Sequence, residues 1–457
     1  MARQVRAALP SGGLFSDQDW RTAIEPFPLE ADLAGELETL GRVLHQFYRA
    51  INLLYRRSVE GRLPAWIADW LDRGKPASLV ALQRHPAFKN ELPRVIRPDL
   101  LLTEGGFAIT ELDAVPGGIG LTAWLNQAYA NPAVAEAGWG VGSLTFNGQR
   151  PDSELHHQAS ALLGGARGMH DGFAGIFGDA ARVRIIVSEE SSTYRPEMVW
   201  LAEALGPRFT VHDSGFREFQ PGDAVYRFFE LFDLANVPNA GPIFDLATAK
   251  QVRLTPPPKP LFEEKLLFAL LWNRNLRSFW KQELGEGFLD RLLEHVPYTW
   301  VVDPTPLPPQ AAIPELNLTD WQQLKALSQR ERELILKVSG FHERAWGARS
   351  VHLGSDLSAA DWGAAVDEAL RSYPTSPHVL QRYHRPRLVE SAWFDFAANE
   401  VRRMPGRVRL CPYYFVHGDG DRARPRLGGV LATICPADKK IIHGMKDAIL
   451  APCRASA

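Results

Sequence analysis

Cysteine is scarce in this chain. Cys411, Cys435 and Cys453 are the three present among 457 residues, widely spaced and odd in number. That excludes a disulfide framework and the paired-cysteine metal motifs, and makes a reducing cytoplasm the expected compartment. Charge of either sign is not in excess: 51 Lys and Arg against 53 Asp and Glu leave a net charge of −2. A sequence-independent nucleic-acid binder needs a basic footprint, and a membrane-surface protein a polybasic one; neither is expected here. No apolar run approaches the ~18 residues of a membrane helix, and the first ten residues lack the apolar core of a signal peptide. There is no internal repeat, no low-complexity tail and no Ser or Cys nucleophile motif. What is present is enough globular chain for two or three cores.

The most informative stretch is Arg97-Pro98-Asp99, followed twelve residues after the aspartate by Glu111-Leu112-Asp113. The text between reads as a β-hairpin: an apolar run from Asp99, a turn at Glu104-Gly105-Gly106, and an alternating run from Phe107 to Asp113. Pairing the strands returns Asp99 to the side of Glu111 and Asp113, and residues two apart on a strand share a face. Three carboxylates on one patch repel unless a cation sits among them, and oxygen-only ligands suit Mg²⁺ holding a nucleotide's phosphates. Arg97 adds an anion-binding cation. The bland alternative is a solvated acidic surface. The stretch after Asp113, Ala114-Val115-Pro116-Gly117-Gly118, lets backbone pass close to a ligand.

Residues 30 to 75 show helical periodicity in Leu33, Leu37, Leu40, Val43, Leu44 and Phe47, with a second short helix at Trp66, Ile67 and Trp70. Residues 121–137 and 153–178 also read as helices, with a glycine-rich loop at 138–148. From 183 to 250 the pattern is a small α/β unit: strands at 184–187, 209–212 and 224–229, and a helix at 195–205. The polar loop at its first strand's end, with Glu189, Glu190, Tyr194 and Arg195, is a candidate acceptor site; a solvated loop leading into a helix is the bland alternative. Arg227 reads equally as a site residue or a buried, paired arginine. A proline-rich connection at 252–260 marks a boundary. Two helices are expected from 261 to 300, the first carrying Lys265. A strand at 334–338 then leads into a polar loop, a returning strand at 351–354, a helix at 358–373 and a strand at 378–383. The tail shows β-like runs at 407–416 and 428–435.

Lys337, ending a strand before a glycine-containing loop, can reach two phosphates, and the loop's N–H groups can close over them. Lys265 is a second cation. Gln381 and Tyr383 can present backbone to an adenine edge. Taken singly, a strand lysine is usually a solvated edge and a helix lysine usually surface.

In this order the residues resemble the circularly permuted ATP-grasp family, typified by the synthetase domain of glutathionylspermidine synthetase. The resemblance covers about 85 to 435. Arg97-Pro98-Asp99 with Glu111-Leu112-Asp113 resembles its R-x-D…E-x-N signature; Glu264-Lys265 through Trp272 resembles a phosphate-contacting helix; Leu336-Lys337-Val338-Ser339-Gly340 resembles the lead into the covering loop; Val379 to Tyr383 resembles the strand beside adenine. The resemblance implies an α/β fold with a circularly permuted ATP-grasp core, an inserted Rossmann-like domain and a helical N-terminal segment. The divisions are 1–84 (helical segment), 85–180 (metal-binding part), 181–260 (Rossmann-like part), 261–400 (nucleotide part) and 401–457 (completing strands). It implies that Asp99, Glu111 and Asp113 hold two Mg²⁺ ions, that Arg97 contacts phosphate or the acyl intermediate, and that Lys265, Lys337, Gly340, Gln381 and Tyr383 bind ATP. Permutation accounts for carboxylates that precede the lysines.

Asp113 stands where the family has asparagine, and Arg382 where it often has glutamate. The strand around Leu427 to Thr433 resembles the family's G-G-x-x-R element but carries no arginine, so Arg344 or Arg349 from the loop is the expected substitute cation. The expected activity is an ADP-forming ligase that joins a small-molecule or peptide carboxylate to an amine through an acyl phosphate. The competing readings are a nucleotide-binding protein without ligase activity, motivated by the missing arginine, and an α/β scaffold with a solvated acidic trio. Residues 1–84 are expected to cap the site or to form a homo-oligomer contact.

Overall fold

The computed structural model describes residues 1–10, 20–130 and 162–456, apart from 346, 348, 443 and 445. The expected glycine-rich loop at 138–148, and the helical stretches expected at 131–137 and 153–161, lie outside the described residues. No described helix is long and apolar enough to cross a membrane.

The architecture is mixed α/β, and the described strands form three sheets. The largest has eight strands. Its main path runs Arg21–Thr22, Ile449–Ala455, Arg424–Pro436, Glu400–His417, Val95–Thr103 and Gly106–Asp113. Leu388–Asp395 pairs with the first part of the long Glu400–His417 strand, and Phe27–Leu29 pairs with Ile449–Ala455. Helices cover both faces of this sheet. Tyr414 lies against Gly41, and Phe415 lies against Gly172; neighbouring strand residues point to opposite faces. Any Cβ at Gly41 would come within 2.5 Å of the Tyr414 ring, so the glycine permits the close approach.

The helix over the Tyr414 face is Ala31–Val59, and the periodic apolar residues Leu37, Leu40, Val43, Leu44 and Phe47 are all buried. This segment therefore builds the main core. Among the described residues, none of those before Lys89 lines the cleft described below. On the other face lie Ile119–Ala130 and Gly168–Gly175. In the described part of the helix expected at 153–178, Gly168–Gly175 is helical, Leu162 makes a bridge to Arg454, and 163–167 are turns.

The second sheet is parallel, in the order Phe209–His212, Val183–Val187, Ala224–Phe228, Arg253–Thr255. Three of its strands and the helix Arg195–Leu205 sit where sequence placed them. The fourth occupies the stretch read as a proline-rich boundary; its three residues are too few to show a period against the prolines that follow. The third sheet is antiparallel: His352–Leu353, Leu334–Val338, His378–Arg382, Thr299–Val301. Leu334 and Leu336 pack with Trp362 of the helix Ala359–Ser372. The alternate residues Ile335 and Lys337 consequently face the other way, into the cleft.

Lys265 is not helical. It lies in a turn between a 3₁₀ segment, Pro260–Glu263, and the short helix Leu267–Trp272. Its N–H donates to the carbonyl of Ser339 at 2.9 Å, which docks the segment onto the end of the Lys337 strand.

Candidate functional site

The acidic hairpin forms with the expected pairing: Arg97 opposite Asp113 and Asp99 opposite Glu111, with a bulge between Asp99 and Leu100. The bulge falls at Thr110, on the outer strand of the sheet. Its hydroxyl donates to the Asp99 carbonyl at 3.1 Å, and its own carbonyl accepts from the Lys337 ammonium at 2.9 Å. A backbone irregularity in one sheet thus receives a lysine from another.

One cleft gathers the hairpin, the Lys337 strand and the carboxyl ends of the parallel strands. Arg97, Asp99, Glu111, Asp113, Lys265, Lys337, Gln381 and Tyr383 all line it. Of the other three sequence candidates, Gly340 stands behind the wall. A Cβ there would meet the Glu263 carbonyl oxygen at 2.4 Å, so the close approach of two backbones requires the glycine. Arg344 and Arg349 are not lining residues; Arg349 is half exposed and pairs with Glu190 at 3.3 Å, joining the loop to the end of the parallel sheet.

The carboxylates do not stand bare. Arg97 lies between two of them, 3.1 Å from Asp99 and 2.9 Å from Asp113, and also donates to the Gly117 carbonyl at 3.2 Å. Burial works against the guanidinium's charge, but Asp99 and Asp113 outweigh it and hold it firmly protonated. Burial pushes the Asp113 carboxyl up, with Arg97 opposing. Glu111 pairs with Lys265 at 2.8 Å. Asp99 meets a second cation that sequence reasoning missed: Arg409, at 3.2 Å. The signal for Arg409 was the alternation Arg407-Val408-Arg409-Leu410-Cys411, in which Val408 and Leu410 bury one face of the strand and Arg409 shares the other with Asp99.

Lys337 is the contrasting cation. It is 5% exposed and bonds to neutral groups, the Thr110 carbonyl and the Gln381 side-chain oxygen at 3.0 Å. Burial pulls its ammonium down to about 8, with Lys265 reinforcing and Glu111 opposing. Gln381 is itself fixed by donating to Thr299 at 3.0 Å, so its oxygen is aimed at Lys337. Its side chain thus serves the lysine.

Across the cleft, Glu190, Ser191, Tyr194, Phe228 and Glu230 form the wall from the parallel sheet. Burial, with Glu263 and Asp113 nearby, pushes the Glu230 carboxyl well above the usual range. Arg195 donates to the Val187 carbonyl at 2.9 Å and secures the base of this loop. Arg227 is the buried, paired arginine of the bland reading: it is 1% exposed and binds Glu263 at 2.6 Å.

Among the described residues, no three acidic, histidine or cysteine side chains converge as a ready-made metal cage. The donor chemistry of Asp99, Glu111 and Asp113 fits Mg²⁺, which takes hard oxygen ligands; their present partners are nitrogen cations.

No family model matches the sequence, and no curated protein matches it. Among solved structures, a candidate γ-glutamylcysteine synthetase from Methylobacillus flagellatus aligns over 90% of this chain and 88% of its own, at 11% identity and a TM-score of 0.35, too distant to support a shared fold. A glutathione synthetase-like effector from Globodera pallida, in its apo form, aligns over 99% of this chain and 96% of its own, at 10% identity and a TM-score of 0.53. This chain has the overall fold of that glutathione synthetase-like protein.

Proposed function

We propose that this chain is an ATP-dependent, ADP-forming ligase of the circularly permuted ATP-grasp kind, joining a small-molecule or peptide carboxylate to an amine. The observation that carries the reading is convergence. Lys265 and Lys337, far from the hairpin in sequence, line one cleft with Asp99, Glu111 and Asp113. A buried ammonium held by neutral groups alone, as Lys337 is, is suited to an incoming anion.

Lys337 and Lys265 hold the phosphates of ATP in line, and Arg409 supplies the cation absent from the late strand. Asp99, Glu111 and Asp113 hold Mg²⁺, which when bound neutralises phosphate charge. An oxygen of the substrate carboxylate attacks the γ-phosphorus, the bond to the β–γ bridging oxygen breaks, and ADP leaves. The amine nitrogen then attacks the acyl carbon. A C–N bond forms, the acyl–phosphate bond breaks, and phosphate departs with the nitrogen's proton. The protein's part is positioning and charge balance. The wall of Glu190, Tyr194, Phe228 and Glu230 faces the acceptor.

The test is ADP release from Mg·ATP with panels of carboxylates and amines, supplied singly and together. Release that requires one member of each panel, and is lost in Lys337→Met, supports the ligase. Nucleotide binding without ADP under any pairing favours the reading without ligase activity. Absence of nucleotide binding removes both.

A further inference from the structure

We infer that Lys265 occupies the place of a divalent cation on the acidic hairpin, so that the hairpin takes up a metal ion only with a phosphate-bearing ligand that draws Lys265 away. This rests on the cleft being a nucleotide site and adds how its metal and its anion depend on one another.

The three carboxylates differ in how firmly they are held. Asp99 lies between two guanidinium groups. Asp113 is ion-paired to Arg97 and accepts from the Val115 N–H at 2.8 Å. Both arginines are largely buried and branch from the same sheet as the carboxylates they hold. Glu111 is different. Its side chain is 35% exposed, and its ion-pair partner is a lysine from outside the sheet.

Lys265 is a point charge on a flexible four-carbon stem, whereas the planar fork of Arg97 is ion-paired to two carboxylates and donates to the Gly117 carbonyl. Lys265 also donates to the Ala345 carbonyl at 2.6 Å. Its ammonium, 2.8 Å from a Glu111 oxygen, sits where a metal bound to that oxygen would meet it. A dication and an ammonium on one carboxylate repel strongly in a part-buried site. With Arg97, Arg409 and Lys265 in place, three acids are already matched by three cations. A metal entering alone would leave two charges uncompensated. Phosphate removes the conflict twice over, by attracting Lys265 and by supplying the missing negative charge. The buried Lys337 beside it marks where that anion arrives.

The experiment measures Mn²⁺ binding by electron paramagnetic resonance on the full chain, with and without the non-hydrolysable analogue AMP-PNP. Wild type alone is expected to bind Mn²⁺ at least about tenfold more weakly than Lys265→Met alone, a difference of about 1.4 kcal/mol. Lys265→Arg keeps the charge and should behave as wild type, and Lys265→Met with Glu111→Gln should lose the gained binding. Thermal melts check that each variant is folded, with Lys265→Gln as the alternative to Met. Wild type binding Mn²⁺ alone as tightly as Lys265→Met, or no gain in Lys265→Met or Lys265→Gln, overturns the exchange. If AMP-PNP does not bind, the nucleotide reading falls, and the comparison of variants without nucleotide still decides the exchange.

Discussion

The strand Glu400–His417 pairs along one side with two different partners, and its arginines meet two different fates. Its first part pairs with Leu388–Asp395, where Arg402 and Arg403 are 49% and 74% exposed and bind Asp395, Glu400 and Glu390. Its second part pairs with the acidic hairpin, where Arg409 is 13% exposed and binds Asp99. Residue type, strand and kind of partner are the same. What differs is the cover: Arg409 is enclosed in the cleft wall beside Asp99 and Cys411, and burial turns an ordinary ion pair into one that fixes that wall. Exposed pairs are screened and contribute little, whereas breaking a buried pair strands a charge.

Removing the buried arginine should have the largest effect. Arg409→Ala is expected to lower stability by about 3 kcal/mol, measured by chemical denaturation, and to abolish ADP release. Retention of full stability would mean that Asp99 is neutralised by Arg97 alone. Gly340→Ala comes next. Its Cβ has backbone in its way, so a loss of about 2 kcal/mol in the same assay is expected, with weakened nucleotide binding as the Lys265 and Lys337 segments are forced apart.

Lys337→Met should separate function from stability. It removes a buried charge with no carboxylate partner, so apo stability is expected to rise by about 1 kcal/mol while affinity for a fluorescent ATP analogue collapses. The same lysine sets a pH dependence. Its ammonium is charged below about 8 and neutral above, so affinity should fall as pH rises through that value. A bound phosphate favours the charged form and moves the midpoint upward. Lys337→Met should erase this limb; an unchanged profile would place the titrating group elsewhere. The smallest effect closes the comparison: Arg403→Ala is expected to change stability by less than about 0.5 kcal/mol and to leave ADP release unchanged.

Much of the site was legible because its signals are local. The turn at Glu104 and Gly105, the two-residue spacing of Glu111 and Asp113, and the alternation that turns Lys337 away from Leu334 and Leu336 are all consequences of the β period. The alternation gave Arg409 its face but not its partner, since that depends on the strand beside it. Lys265 was placed on a helix because the apolar run after it is helical; docking against Ser339 holds its own backbone in a turn. Arg344 and Arg349 drew attention as loop cations, and neither lines the cleft; Arg409, which does, comes from a strand whose alternation gives its face but not its neighbour.

By itself, the sequence determined which residues could share a face: Asp99 with Glu111 and Asp113, and Ile335 with Lys337. Side-chain direction along a strand follows from backbone geometry alone. Only the tertiary structure decided which charges meet. It put Arg97 between two carboxylates, Arg409 on Asp99 and Lys265 on Glu111, and it left Lys337 among neutral groups. Electrostatic energy depends on distance and on burial, and both are set by how three sheets close on one another.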